Sequence, residues 1–519
     1  MRRSVIPAHA RLAAVLALLT IAACSTDDPV TTTDAGEGSD STTTDTTPPT
    51  DASTDDGTTD ALPPLPTPGI RDLGWIQVED GRLVDEFGRE WLVRGINARV
   101  EGLFDVTFDD GRIPLQPIPD FNADDAAAAV AMGFNMLRLP INWSGLEPTE
   151  GEFSEVYLQR LDEVVTLATA AGLYVLIDFH QDAYSKEIGE DGAPLWAIEP
   201  PPTQLLQGPL TDLAQRRVSA QVLAAFAGFF RNDLDLQNRF MPVFELVVRR
   251  YADRAGVIGI EVMNEPVASG VPNGDEALYD FYELAVSTMR AAGSRHTVWL
   301  EPDAQRNFSQ TAPIRSEPFP DDQVVYCPHF YPGLVGITAD SVEGWKTRLT
   351  QTFDDLILET GSWGGALVVG EWGVDPLDPE SVLYWEAVDQ LSDERLFGHV
   401  YWLWKERSQG SWGFYTWLDE GERWEPRLDA IAQFSRAAVM AVPGRLVSHR
   451  SRREDGVLTA TFQADGSEAA PLVYLPEGSW TATLNGEAIE LQRDAATGRA
   501  LVPWQGQSGQ FELVITPAQ

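Results

Sequence analysis

Two acidic residues follow apolar stretches of the sequence in a way that points to chemistry. Glu265 stands between Asn264 and Pro266 at the end of "IEVMNEP" (260–266), and Glu371 ends the run "ALVVGE" (366–371). Two carboxyl groups that face one cleft can hydrolyse a glycosidic bond, because one protonates the leaving oxygen while the other meets the oxocarbenium-like carbon. A lone Glu at a strand end is more often half of an ion pair, so each residue needs support from its surroundings.

Further polar and aromatic residues stand where other apolar runs end. They are Arg138, Asp178, His180, Asp182, His329, Tyr331 and Trp402. Taken singly, the His in "CPHFY" (327–331) could be a hydrogen-bonded core residue, and the first Trp in "YWLWK" (401–405) could be packing, as we interpret Tyr401 and Trp404. Burying the whole set without a function would leave several charges unpaired at high cost. Together these residues predict one functional cleft.

Eight short apolar segments predict the strands that position these residues. The segments are 91–97, 134–139, 173–179, 257–263, 297–301, 323–328, 366–371 and 398–404. Helical patterns lie between them, such as 155–171, which ends at Gly172. Buried strands that alternate with helices favour an α/β fold, a parallel (β/α)8 TIM barrel with its active site at the carboxyl ends of the strands. A doubly wound open sheet is the alternative, but no Gly-rich phosphate motif follows the first strand.

Three segments do not follow this alternation of strands and helices. Residues 73–90 predict a hairpin that turns at Asp80-Gly81 and closes the floor of the barrel. Residues 184–245, between the third and fourth strands, predict an insertion on the active-site face. Beyond residue 437 the pattern changes to strands without helices, which predicts a small C-terminal all-β sandwich. We therefore place the catalytic domain at 71–436 and the sandwich at 437–519.

The N-terminus carries the features of an export signal. Arg2 and Arg3 precede an apolar run that ends in "TIAAC" (20–24), so residues 1–23 predict a lipoprotein signal peptide with Cys24 as the acylated residue. An ordinary secretory signal is the alternative. Residues 24–70, rich in Thr, Asp and Pro, predict a disordered tether. We expect an exported protein, lipid-anchored to the bacterial cell envelope at the outer membrane or cell surface.

The amino-acid composition indicates which binding partners, disulfides and metals to expect. The formal net charge of −42 argues against a nucleic-acid partner. If Cys24 is acylated, Cys327 is the only thiol left and no intrachain disulfide can form. No cluster of His, Cys and Asp has the sequence spacing of metal ligands, so we expect neither a catalytic metal nor another cofactor.

The motifs occur in the order of a known enzyme family. "LRLPINW", "DFHQD", "NEP", "HFY", "GEWG" and "YWLW" resemble glycoside hydrolase family 5 over about residues 75–435. Within that family, "DFHQDAYSKEIGEDGAPLWA" (178–197) and a β-sandwich after the barrel are most similar to endoglycoceramidases, which cleave the bond between an oligosaccharide and a ceramide. The resemblance implies a retaining β-glycosidase that acts on glycolipids.

The resemblance also implies roles for the candidate residues. Glu265 would be the general acid/base and Glu371 the nucleophile, with the two carboxyl groups about 5–5.5 Å apart. Asn264 would contact the sugar 2-hydroxyl, and Arg138 and Tyr331 would support the nucleophile. His180 and His329 would orient the sugar and the acid/base. Asp182 would contact the sugar, and Trp402 would form the apolar floor beneath it. Endoglycoceramidases carry a Lys after the first strand, where this chain has "NARVEGLFDVTFDDGR" (97–112), so we expect Arg99 or Glu101 to substitute.

Two other functions remain open. The chain could be a polysaccharide endoglycanase such as a cellulase, or a non-catalytic surface lipoprotein that binds glycans. The insertion bears on this choice, because its apolar residues predict a groove for the lipid along 195–230, with Trp196 and Leu205 exposed in it. The alternative for most of these side chains is that they pack an extra pair of helices onto the barrel rim.

Overall fold

The computed structural model of the protein describes residues 68–309, 317–331, 337–408 and 412–518. The predictions for the signal peptide, for Cys24 and for nearly all of the tether fall on residues outside these ranges. Among the described helices, none has the length and apolar character needed to span a membrane.

Eight parallel strands close into a barrel, as the sequence predicts. In chain order they are Arg94–Asn97, Met136–Ile141, Tyr174–Phe179, Val257–Glu261, Thr297–Leu300, a sixth strand in two pieces (Val324–Tyr326 and His329–Phe330), Ala366–Trp372 and Gly398–Tyr401. The first strand pairs with the second and the eighth, which closes the sheet. All eight are buried nearly throughout, because the barrel interior covers one face and the helices cover the other.

Helices surround the barrel. The longer ones are Ala123–Ala131, Glu155–Ala171, Leu236–Tyr251, Gly274–Ala291, Val342–Trp363 and Ser381–Arg395, and shorter ones are Trp143–Leu146, Gln305–Ser309 and Leu428–Phe434. The helix predicted at 155–171 has these bounds, since Ser154 caps its first turn and Gly172 ends it in the left-handed conformation (φ 93°).

The predicted hairpin closes the barrel floor. Strands Ile76–Glu79 and Arg82–Asp85 turn at Asp80 and Gly81, both with positive φ. Ile76, Val78 and Leu83 pack into one apolar cluster with side chains from the barrel interior. The hairpin therefore fills the end of the barrel that lies opposite the strand carboxyl ends.

The C-terminal region consists of two antiparallel sheets. One contains Arg445–Ser451, Leu458–Asp465, Ser508–Pro517, Trp480–Leu484 and Glu487–Ile489; the other joins the hairpin and Arg89–Trp91 to Ala438–Pro443, Leu472–Tyr474, Arg499–Leu501 and Gln492–Arg493. Because Ala438–Pro443 pairs with Arg89–Trp91, strand pairing crosses the boundary that we predict at 436/437. That division into domains stays a prediction.

The insertion is shorter than the predicted 184–245, because Leu236–Tyr251 is the regular barrel helix between the third and fourth strands. The inserted chain contains the one-turn helices Leu195–Ala197 and Asp233–Asp235 together with Leu213–Arg216 and Ala220–Phe230. Phe229 packs edge-on against Phe281 of the next barrel helix. The packing alternative is thus confirmed for the helix Ala220–Phe230, which fastens the insertion to the barrel.

Candidate active site

The structure brings Glu265 and Glu371 together at the carboxyl ends of the strands. A carboxylate oxygen of each residue and a ring nitrogen of His329 all lie within 4.8 Å of one another. This separation fits the spacing of about 5–5.5 Å that a retaining glycosidase needs, and it is shorter than the roughly 6.5–9.5 Å that leaves room for a water in inverting enzymes.

Glu265 is presented by a turn of the backbone. The fourth strand ends at Glu261, two residues earlier than predicted. Glu265 itself adopts a left-handed conformation (φ 41°), which is costly for a residue with a side chain. Its N–H donates to Glu301 Oε1 (3.1 Å), and its carbonyl accepts from Gln181 Nε2 (2.9 Å). These contacts hold the turn that points Glu265 into the cleft.

Glu371 accepts two strong hydrogen bonds. Arg138 Nη1 donates to Oε1 (2.6 Å) and the Tyr331 hydroxyl donates to Oε2 (2.8 Å). Both contacts are those that the family resemblance implies. A cation and a hydroxyl that donate to one carboxylate stabilise its ionised form.

Arg138 is the centre of the buried charges beneath the cleft. Its guanidinium lies within 3.6 Å of oxygens from Asp178, Glu261, Glu301 and Glu371, and it donates to the side-chain oxygens of Asn97 and Asn264. Glu261 and Glu301 are not among the predicted site residues, although Glu301 ends the predicted fifth strand and Glu261 lies two residues before the end of the predicted fourth. Burial raises the pKa of Glu301 well above its ordinary value, whereas Arg138 outweighs burial and lowers the pKa of Glu261.

Glu265 has its own partners. His329 Nδ1 and Asn307 Nδ2 each lie 3.0 Å from its Oε1. His329 Nδ1 is also 3.5 Å from Glu371 Oε2, so the ring stands between the two carboxyl groups. Asn307 comes from the short helix after the fifth strand, and its isolated position in the sequence gave no signal of this contact.

His180, Asp182 and Trp402 form another wall of the cleft. The His180 ring lies parallel to the Trp402 ring (11° between planes, centroids 5.8 Å apart), and its Nδ1 is 2.6 Å from Asp178 Oδ2. Its Nε2 faces Asp182 Oδ2 at 3.9 Å. Asn264 lies beside them, held by Arg138 and by a bond from its Nδ2 to the Gln181 carbonyl (3.0 Å). All the predicted residues within the described ranges therefore gather at one site.

The pKa directions in the free protein differ between the two glutamates. Burial raises the pKa of Glu371, although the charges of His329 and Arg138 oppose the rise. Burial also acts to raise the pKa of Glu265, but the hydrogen bond from His329 and the charge of Arg217 outweigh it and lower the pKa. The free cleft thus favours an ionised Glu265, so a proton needed there during a reaction has to be gained when a ligand binds.

Among the residues that the structure describes, three groups of side chains lie close enough together to share a metal ion, which sequence spacing alone did not indicate. They are His180, Asp182 and Asp191; Glu261, Glu301 and His329; and Glu265, His329 and Glu371. Asp191 accepts from Asn142 (2.6 Å), Glu261 from Arg138, and Glu371 from Tyr331, so each group already has protein donors. The expectation of no catalytic metal stays a prediction.

Arg99 and Glu101 do not replace the expected Lys in the way that the sequence suggested. Arg99 is buried and pairs with Glu190 and Glu406, while Glu101 is exposed. Burial raises the pKa of Glu190 to about 7. The end of the site near the first strand is therefore a network of buried charges, with no free cation at either predicted position.

Trp196 and Leu205, the two insertion residues predicted to be exposed in a lipid groove, lie in different surroundings. Trp196 is half-buried, stands edge-on to Trp143 and donates to the Glu147 carbonyl (3.1 Å), so it packs on the barrel rim. Leu205 is 39% exposed, as expected. An apolar cavity of about 30 Å³ beside Gln181 and Met263 is too small for a lipid chain. The lipid groove along 195–230 remains a prediction, and it can involve only the side chains that are exposed there.

Comparison with known proteins gives the family. The family model "Cellulase (glycosyl hydrolase family 5)" matches residues 112–408, more than half of the chain. The protein belongs to glycosyl hydrolase family 5. It is therefore a glycoside hydrolase, and it shares the retaining mechanism of that family.

Similar proteins include enzymes named for glycolipids. Endoglycoceramidase I of Rhodococcus hoagii (strain 103S) is 29% identical over 349 residues, which cover 63% of this chain and 67% of that protein. The solved structure of endo-glycoceramidase II from Rhodococcus sp. superposes with a TM-score of 0.68 at 25% identity, covering 84% of this chain and all of that one. A structure described as endogalactoceramidase gives a TM-score of 0.71 at 23% identity, covering 86% of this chain and all of that one, which shows the shared fold.

Proposed function

We propose that the protein is an endoglycoceramidase-like glycosidase that cleaves the bond between a glycan and a lipid. The observation that carries the catalytic part is the pair Glu265 and Glu371, whose oxygens lie within 4.8 Å across His329. The glycolipid part rests on the similarity to endoglycoceramidase I.

In the first step, the Glu371 carboxylate attacks the anomeric carbon while Glu265 gives its proton to the leaving oxygen. The glycosidic bond breaks, the lipid alcohol departs, and the glycan is bound to Glu371 as an ester. Arg138 and Tyr331 hold the attacking carboxylate in position through the hydrogen bonds to its two oxygens. A glycan that displaces water from Glu265 disfavours its charged form, so Glu265 takes up a proton from solvent when the substrate binds and donates it in this step.

In the second step, ionised Glu265 takes a proton from a water, which attacks the anomeric carbon and releases Glu371. Both steps invert the carbon, so the product keeps the β configuration. The hydrogen bond from His329 favours the ionised form of Glu265 that this step requires. His180 and Asn264 contact the sugar hydroxyls, and the Trp402 ring supports the sugar at the bond that breaks.

A tether to the envelope would keep the enzyme near its substrate. Acylation of Cys24 would hold the cleft at a membrane surface, where glycolipids are concentrated. Growth of a producing bacterium with an alkyne-tagged fatty acid should label the wild-type protein and leave Cys24→Ala unlabelled. Equal labelling of both proteins would remove the lipid anchor from the proposal.

A substrate panel separates this function from its main alternative. The panel compares glucosylceramide and lactosylceramide in detergent micelles with cello-oligosaccharides, and mass spectrometry identifies the products. We expect release of an intact glycan and a ceramide, with a higher kcat/KM than for any cello-oligosaccharide. The reverse order would establish the endoglycanase that the family description also permits, and no turnover of either class would favour the glycan-binding lipoprotein.

A further inference from the structure

One cation of the cleft comes from outside the barrel. Arg217 lies in the short link between the insertion helices Leu213–Arg216 and Ala220–Phe230. Its Nη2 is 2.5 Å from Asp182 Oδ1, and its side chain is 34% exposed while that of Asp182 is 9% exposed. The insertion thus reaches back over the barrel rim and places a guanidinium next to a residue of the site.

Hydrogen bonds on both sides of the link fix the backbone around Arg217. Its N–H donates to the Leu213 carbonyl (3.0 Å), and Ser219 caps the following helix through a bond to the Val222 N–H (3.3 Å). That helix is fastened to the barrel by Phe226 and Phe229, which are buried. Because the helix that follows Arg217 is capped and packed, Arg217 loses less freedom when it binds a carboxylate than an arginine on an open loop.

We propose that Arg217 is a positioning residue for the glycosidase reaction: it holds Asp182 against the sugar site and adds a positive charge to the cleft that contains Glu265. This inference rests on the acid/base role proposed for Glu265. Arg217 lies in the insertion and outside the six sequence motifs that carry the family resemblance.

The surrounding charges agree with this role. Burial acts to raise the pKa of Asp182, but the charge of Arg217 and then His180 outweigh it and lower the pKa. The other charged or titratable groups that act on Glu265 are His329 and the acidic or phenolic groups of Asp182, Glu301, Glu371 and Tyr331. Of these groups, His329 and Arg217 both lower the Glu265 pKa.

A pH profile tests the charge effect. The kcat of lactosylceramide hydrolysis has an alkaline limb where the acid of the enzyme–substrate complex loses its proton, because this unactivated substrate needs that proton on its leaving oxygen. Removing the positive charge in Arg217→Ala raises the Glu265 pKa, so this limb moves to higher pH. Arg217→Lys keeps the charge and should leave the limb in place. The matched control is Arg216→Ala, which removes a cation from the adjacent position, where it pairs with Asp212 at the surface.

A double-mutant cycle tests the positioning effect. Loss of a hydrogen bond to a charged group should raise KM by about tenfold in Arg217→Ala. If Arg217 acts through Asp182, adding Asp182→Asn to Arg217→Ala should raise KM by less than the product of the single effects. Equal melting temperatures for Arg217→Ala and Arg216→Ala would show that folding is not the cause.

The outcomes separate this inference from the function on which it rests. An alkaline limb that stays in place in Arg217→Ala, as in Arg216→Ala, would overturn the inference while the acid/base role stands. A limb that persists in Glu265→Ala would refute the acid/base role and the inference together. A limb that shifts only in Arg217→Ala, together with non-additive KM effects, supports the inference.

Discussion

Replacing Arg138 by Met tests whether one cation neutralises the buried acids beneath the cleft. The substitution keeps much of the side-chain volume but leaves Asp178, Glu261, Glu301 and Glu371 without the guanidinium that lies within 3.6 Å of each. Breaking a buried pair by removing one partner costs about 3–5 kcal/mol. For a folded unit of roughly 450 residues, about 1 °C is lost per kcal/mol, so we expect a melting temperature about 3–5 °C lower.

The pH dependence of this loss distinguishes charge from packing. Without Arg138, the buried carboxyl groups have pKa values above those of the unfolded chain, so the folded state binds more protons and its stability falls as the pH rises. The difference between wild type and Arg138→Met should therefore be larger at about pH 8 than at about pH 5.5. Scanning calorimetry at both pH values measures it.

Arg499→Met is the matched control. Arg499 is also buried, but it donates to the carbonyls of Gly172 (2.8 Å) and Phe134 (3.3 Å), and the acid that acts on it, Asp494, keeps its own partner Arg71. Its loss should cost about 1–3 kcal/mol and depend little on pH. If Arg138→Met and Arg499→Met lose the same stability at both pH values, the electrostatic account of the cleft is wrong.

Three further predictions concern catalysis, acid stability and the lipid side. Glu371→Ala should lose the covalent step and regain part of its turnover with azide or formate, whereas Glu265→Ala should lose unactivated glycosides far more than activated aryl glycosides; equal losses on both substrates would refute these roles. Burial lowers the pKa of His296 and of His399 to about 4, so stability present above about pH 6.5 should be lost as the pH falls towards 4, by about 3 kcal/mol for each residue. Urea titrations should show a smaller loss in His296→Gln, and an equal loss would contradict this. Leu205→Ser should weaken cleavage of glucosylceramide and spare methylumbelliferyl β-glucoside, and parallel effects on both would remove Leu205 from the lipid site.

The barrel could be predicted from the sequence because each of its strands leaves a pattern within a few consecutive residues. A strand buried on both faces is a continuous apolar run, and the polar residue after it marks the carboxyl end. Pairings between distant segments leave no such mark. The pairing of Arg89–Trp91 with Ala438–Pro443 therefore could not be read from either segment.

The candidate site was predictable to the same extent. Residues at strand ends, such as Arg138 and Glu371, lie where the pattern places them, because the carboxyl ends of parallel strands meet at one rim. Glu301 carries the same signal at the end of the fifth strand, but it is not among the predicted site residues. Asn307 and Arg217 follow no strand directly, so only their contacts with Glu265 and Asp182 identify them.

Arg99 illustrates the opposite error. Its place after the first strand suggested a cation free to contact the sugar, but two buried carboxylates take up its guanidinium. The sequence shows that a charge is present and not which partner it has. The partners here, Glu190 and Glu406, lie on distant parts of the chain.

Trapping the covalent intermediate tests the central claim most directly. A dinitrophenyl β-glucoside with fluorine in place of the 2-hydroxyl reacts in the first step, because its leaving group needs no proton, and stalls in the second. We expect the intact mass of the protein to rise by one fluorinated sugar and peptide mapping to place the label on Glu371, with slower labelling of Arg138→Lys. A label on Glu265 or on any other residue would contradict the account.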